Sequence, residues 1–73
     1  MDNYVELPYG DKNIRYEFQE VEPPGLFRVY LPNGTYFRLM KKNGEWRTVA
    51  DDPAPFHGID EIGEAIHALL GYR

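Results

Sequence analysis

Few residues in this chain could carry out covalent or acid–base chemistry. Serine and cysteine are both absent, and Thr35 and Thr48 are the only aliphatic hydroxyls. A Ser- or Cys-type triad, a thiolate zinc site and a disulfide are therefore excluded. The two histidines are His57 and His67. A histidine base needs a nucleophile or an orienting carboxylate within hydrogen-bond reach, and no spacing in the chain supplies one. On a helical projection His67 points away from the apolar stripe and is expected to be exposed. Asp51, Asp52, His57, Asp60, Glu61 and Glu64 gather before and within the last apolar run. Hard cations need several oxygens at fixed spacing, whereas this stretch is interrupted by Pro53 and Pro55. A helix start behind a solvated acidic linker is the expectation, with no metal. The glycines are scattered, so no phosphate-cradling loop is present. No cofactor and no enzymatic activity are expected.

A second set of residues is better suited to binding. Residues 26–49 hold five of the eight basic residues and one acid, while the flanking thirds are acidic and the whole chain carries a net charge of −4. Arg28, Tyr30, Tyr36 and Arg38 alternate with apolar residues there, and Met40 and Trp46 follow. Tyrosines interleaved with arginines on one sheet face can stack on bases and meet phosphates, which is how sheets take single-stranded nucleic acid. The same residue types are enriched at protein interfaces, and tyrosine is also simply a good strand former. An overall acidic chain weakens the nucleic-acid reading, because phosphate binding depends on a dominant cation field.

Alternation of apolar and polar residues predicts the strands that must position this set. Strands are expected at about 3–9, 14–19, 26–31, 35–41 and 45–49, with a linker over 50–58. In the first hairpin a loop over Gly10–Asn13 would place Tyr9 opposite Ile14, Leu7 opposite Tyr16 and Val5 opposite Phe18. It would also set Glu6 against Glu17. Pro24 and Gly25 suit the centre of a type II turn that begins at Pro23. Beyond it Phe27 would face Phe18 and Val29 would face Tyr16. At "LPNGT" a three-residue loop, Pro32–Gly34, pairs Val29 with Phe37 and Phe27 with Leu39, and places Gly34 at a left-handed bulge. The turn at Asn43-Gly44 leaves two outcomes. A two- or four-residue loop sends Trp46 to the Leu39 face, and a three-residue loop sends it out beside Met40.

Ile59, Ile62, Ile66, Leu69 and Leu70 fall at helical spacing, predicting a helix over about 60–70 with Asp60 as N-cap and Gly71 just past its end. Gly63 weakens such a helix by roughly 1 kcal/mol relative to alanine, which implies close packing at that point. About ten residues of helix cannot persist alone and must lie on the sheet.

The expectation is one small α+β domain: a four- or five-stranded antiparallel meander with one C-terminal helix packed on one face. The core is assigned to Val5, Leu7, Ile14, Tyr16, Phe18, Phe27, Val29, Leu31, Phe37 and Leu39. This order of elements resembles that of small single-stranded-DNA-binding coactivator domains in topology alone, and no residue roles carry over. No basic start followed by an apolar run and no bilayer-length apolar stretch occurs, so a cytoplasmic chain without membrane contact is expected. The functional expectation is a small interaction module using Arg28, Tyr30, Tyr36, Arg38, Met40 and, in one of the two turn geometries, Trp46. A protein partner or self-association as a homodimer comes first, and single-stranded nucleic acid is the alternative.

Overall fold

The computed structural model describes residues 3–22 and 24–71. Five strands, β1 (Asn3–Tyr9), β2 (Lys12–Val21), β3 (Leu26–Tyr30), β4 (Tyr36–Lys42) and β5 (Glu45–Thr48), precede one helix, α1 (Ile59–Leu70). The strands form a single antiparallel sheet in the order β1-β2-β3-β4-β5. The sheet curls, and α1 lies against β1, β4 and β5, so it spans from one sheet edge to the other. The architecture is the expected α+β meander with its C-terminal helix. Among the described residues no helix is long and apolar enough to cross a membrane.

The first hairpin differs from the expected register by two residues. Gly10, at φ +66°, and Asp11 form a two-residue loop, so Tyr9 pairs with Lys12, Leu7 with Ile14 and Val5 with Tyr16. Glycine leading a two-residue loop is the II′ signature, whose twist matches that of the flanking strands. A two-residue slip keeps every side chain on its own face, so apolar matching alone cannot distinguish the two registers. Charge pairing agrees with the observed one, since Glu6 now lies opposite Arg15 with their side chains 3.8 Å apart.

The same slip recurs between β2 and β3. Phe18 pairs with Val29, not Phe27, and Glu17 pairs with Tyr30. Here β2 runs on to Val21, and the Glu20 carboxylate accepts the Gly25 N–H at 2.8 Å, which ties down the connecting loop. Gly25 has φ +91°, as the inner position of a type II turn requires; Pro23 lies outside the described residues.

The third turn forms as expected. Val29 pairs with Phe37 and Phe27 with Leu39; Leu31 N–H donates to Thr35 O at 2.8 Å, and Gly34 is left-handed. The fourth is a two-residue type I′ turn, with Asn43 and Gly44 both at positive φ. Lys42 therefore pairs with Glu45, and Trp46 joins the Leu39 face. Strand β5 ends at Thr48 and leaves Val49 exposed.

The core holds nine of the ten residues expected there, with Leu7 partly buried beside them and Trp46, Ile62 and Ile66 added. The helix face differs in detail. It buries Ile62, Gly63 and Ile66, while Leu69 is 55% exposed. Positions 59, 62, 66 and 70 form the stripe, and Leu69 falls beside it. Gly58, not Asp60, is the N-cap and supplies no side-chain bond; Asp60 and Glu61 sit in the first turn, where the helix dipole favours acids. His67 is not exposed as expected but packs on Trp46 and Phe27 at ring-centroid distances of 4.6 and 6.2 Å.

Candidate protein-interaction face

The face of the sheet turned away from α1 is assembled by strict alternation. Register brings Tyr4, Glu17, Tyr30 and Tyr36 into one row across four strands. Gln19, Arg28 and Arg38 form the next row, and Val21, Leu26, Met40 and Arg47 the one beyond. Tyr30 and Tyr36 lie 5.6 Å apart between ring centroids, tilted by 57°. The Arg28 guanidinium sits 4.8 Å over the Tyr36 ring, and Arg15 sits 4.0 Å over Tyr4. These cation–π contacts let arginine stems cover ring faces while their charges stay at the surface.

Charge is not evenly compensated across this face. Arg15 lies near Glu6, and Arg47 Nη2 meets Glu45 Oε1 at 2.9 Å. Arg38 is held more firmly. Its Nη2 and Nε donate to the two Asp52 carboxylate oxygens at 2.9 and 3.1 Å, and its backbone N–H donates to Oδ2 at 2.9 Å. Those bonds, the side-chain one first, hold the Asp52 carboxyl below the usual carboxylate range. Arg28 has no carboxylate partner among the described residues. Its guanidinium pKa is raised, first by the Tyr30 hydroxyl and then by Tyr36, while its Nε has no acceptor among the described residues. This face therefore keeps one arginine incompletely satisfied among the described residues.

Arg28, Tyr30 and Tyr36 are thus brought together. Arg38 is adjacent in register but directed to Asp52. Met40 lies one row away, half-buried with Leu26. Trp46 is on the opposite face, 8% exposed, with its indole against Gly63 and its Nε1–H donating to Glu64 Oε2 at 2.9 Å. Lys41 Nζ reaches the same oxygen at 3.2 Å, and the two donors, Trp46 first, lower the Glu64 carboxyl pKa. Tyr4 and Glu17 complete the aromatic row and were not assigned to it from sequence. The two-residue register slip hid them, since the II′ turn at Gly10-Asp11 alone brings Tyr4 level with Glu17.

The acidic and histidine residues near the helix start serve other contacts. His57 Nε2 lies 2.7 Å from Pro8 O and Nδ1 lies 2.7 Å from the Tyr16 hydroxyl, which also accepts the Phe56 N–H at 3.2 Å. A carbonyl can only accept, so Nε2 donates and Nδ1 accepts from Tyr16. Desolvation raises the Tyr16 phenol pKa, against the opposite pull of the Phe56 and His57 backbone N–H groups. The arrangement pins the linker to β1 and β2.

In comparisons with known proteins, the chain matches no family model, no curated protein and no solved structure.

Proposed function

We propose that this chain is a non-enzymatic protein-interaction module whose outer sheet face binds a second copy of itself. The observation that carries the reading is the Arg28–Tyr30–Tyr36 cluster on a sheet face that α1 does not cover. Arg28 has no carboxylate there, and Glu17, one row away, has no ion-pair partner among the described residues. In a two-fold pairing each Arg28 meets the other copy's Glu17, so the face is self-complementary, as an isologous contact must be. The strand edges are poorer candidates. Strand β1 carries Pro8, whose carbonyl His57 already takes, and β5 is only four residues long.

Five strands spaced about 4.8 Å apart and about seven residues long give a footprint of order 500 Å² per copy. That is below the roughly 800 Å² per partner of standard interfaces, which argues for a weak, reversible dimer. The alternative of single-stranded nucleic acid finds less support, because carboxylates compensate Arg15, Arg38 and Arg47 and leave too little net cation field.

Sedimentation equilibrium across micromolar to millimolar protein tests the reading. Arg28→Glu and Glu17→Arg are each expected to weaken the dimer, and the double variant to restore it. A wild-type chain that stays monomeric at millimolar concentration refutes self-association. Oligonucleotide binding at low salt that is lost in Arg28→Ala would favour the nucleic-acid reading instead.

A further inference from the structure

The sheet contains a gap at the margin of the outer face, where Glu17 and Tyr30 border it. Strand β2 begins at Lys12, but β3 ends at Tyr30, which pairs with Glu17. Among the described residues, 12–16 of β2 therefore have β1 on one side and no strand on the other. The phase of the backbone follows from two separate turns. Tyr9 and Lys12 flank a two-residue loop and form a hydrogen-bonded pair, so alternate residues Lys12, Ile14 and Tyr16 address β1. The Leu31 N–H bond to Thr35 O directs Leu31 and Val29 toward β4, and hence Tyr30 and Arg28 toward Glu17 and Gln19. Both routes turn the odd-numbered residues of β2 to the β3 side. Glu17, Gln19 and Val21 find partners there. Among the described residues Asn13 and Arg15 have no backbone partner on that side.

At two other places a side chain takes a backbone group the sheet leaves open: His57 takes Pro8 O on the edge strand β1, and Asp52 takes the Arg38 N–H where β4 outruns β5. Beside Asn13 and Arg15 there is instead an open groove of about 630 Å³. Tyr9, Ile14, Leu31 and Phe56 give it apolar walls, with Phe56 54% exposed and its ring 5.5 Å from that of Tyr9. Lys12, which has no ion pair among the described residues, stands at one end, and Glu17 at the other.

We infer that this groove takes a short extended peptide segment of another protein, added as a strand to β2 through the N–H and C=O groups of Asn13 and Arg15. Backbone pairing fixes the occupant as an extended chain. The peptide residue opposite Ile14 points inward against Leu31 and Phe56 and is apolar. Two positions away, on the same side, the residue opposite Lys12 is acidic, and no acid is tolerated toward Glu17.

Titration of the amide spectrum with acetyl-Glu-Thr-Val-Thr-Ala-amide, and with the same residues in reverse order, tests this. One of the two is expected to shift the Asn13 and Arg15 amides. Two backbone nitrogens of the probe donate to Asn13 O and Arg15 O: those of the threonines in the probe that runs antiparallel to β2, or of the valine and alanine in the parallel one. Methylating them removes two neutral hydrogen bonds and should weaken binding about thirtyfold. Lys12→Glu should reverse the preference for the acidic probe over its lysine counterpart. Unshifted Asn13 and Arg15 amides at millimolar probe overturn the inference, as does equal binding of the methylated probe. The two readings separate through Arg28→Glu, which is expected to abolish self-association and leave the peptide shifts intact.

Discussion

Replacing Gly63 by alanine sets two opposed effects against each other. On helix propensity alone the change stabilises by roughly 1 kcal/mol. At Gly63, however, an added Cβ would fall inside the van der Waals envelope of the Trp46 indole ring. Overpacking of this kind costs about 1–3 kcal/mol or more, so the variant is expected to be less stable, as a lowered urea midpoint would show. An unchanged or raised midpoint would mean that the indole does not rest on this helix turn. The contact was legible as a question before it was an answer: a glycine in mid-helix implied close packing, but only the two-residue turn at Asn43-Gly44 brings Trp46 to it. His67, against the same indole, gives a pH-dependent prediction. Burial first, and then Lys41, lowers its pKa from 6.5, outweighing the opposite pull of Glu64 and Glu20. The unfolded chain therefore takes up this proton before the folded one, and stability rises with pH over that range. The contribution is complete above about pH 6.5 and is lost as pH falls through 6.5 toward the folded value. The difference in urea midpoint between pH 8 and pH 5.5 should shrink in His67→Gln; an unchanged difference would assign the pH dependence elsewhere.

At the scale of elements, what the sequence reveals depends on which quantity a residue pattern encodes. Alternation encodes the face, so the inner set from Val5 to Leu39 was readable along every strand. It does not encode register beyond modulo two, and both early pairings slipped by two residues without moving one side chain to the wrong face. Register was readable only at Pro32–Gly34, where proline and glycine demand one loop length and apolar pairing demands the same one. The helix stripe was misread at Leu69 because 3.6-residue periodicity leaves neighbouring positions such as Leu69 and Leu70 nearly equivalent until the sheet selects one. That correction has a measurable consequence. Ile66→Ala should cost about 2–5 kcal/mol as a core truncation, whereas Leu69→Ser should change stability by no more than about 0.5 kcal/mol. Comparable losses in the two variants would put Leu69 back on the buried face. The candidate site was legible in composition but not in electrostatics: Arg28, Tyr30 and Tyr36 share a face by alternation alone. The carboxylate that compensates Arg38 comes from Asp52, fourteen residues further along the chain and in an irregular segment, and no local pattern reports such a pairing.

At the scale of the whole molecule, the helix is what closes the sheet. It touches β1, β4 and β5, and buries Ile62 and Ile66 in the concavity. Strands β2 and β3, both inside the sheet, give the core Tyr16, Phe18, Phe27 and Val29, and without α1 these would face water across a curved surface. A chain of this length buries only about 60% of its unfolded surface, so little stability remains to offset that loss. The linker adds to the dependence, since Phe56 and His57 reach Tyr16 and Pro8 from between the sheet and the helix. A chain ending at Ala50 keeps all five strands but lacks both the helix and this clasp. It is therefore expected to lose the fold, seen as collapsed amide dispersion and a non-cooperative urea transition. A dispersed spectrum with a sharp transition would show instead that the meander is stable by itself. In that case both faces of the sheet would be open to partners, and the outer Arg28–Tyr30–Tyr36 cluster would lose the asymmetry that distinguishes it.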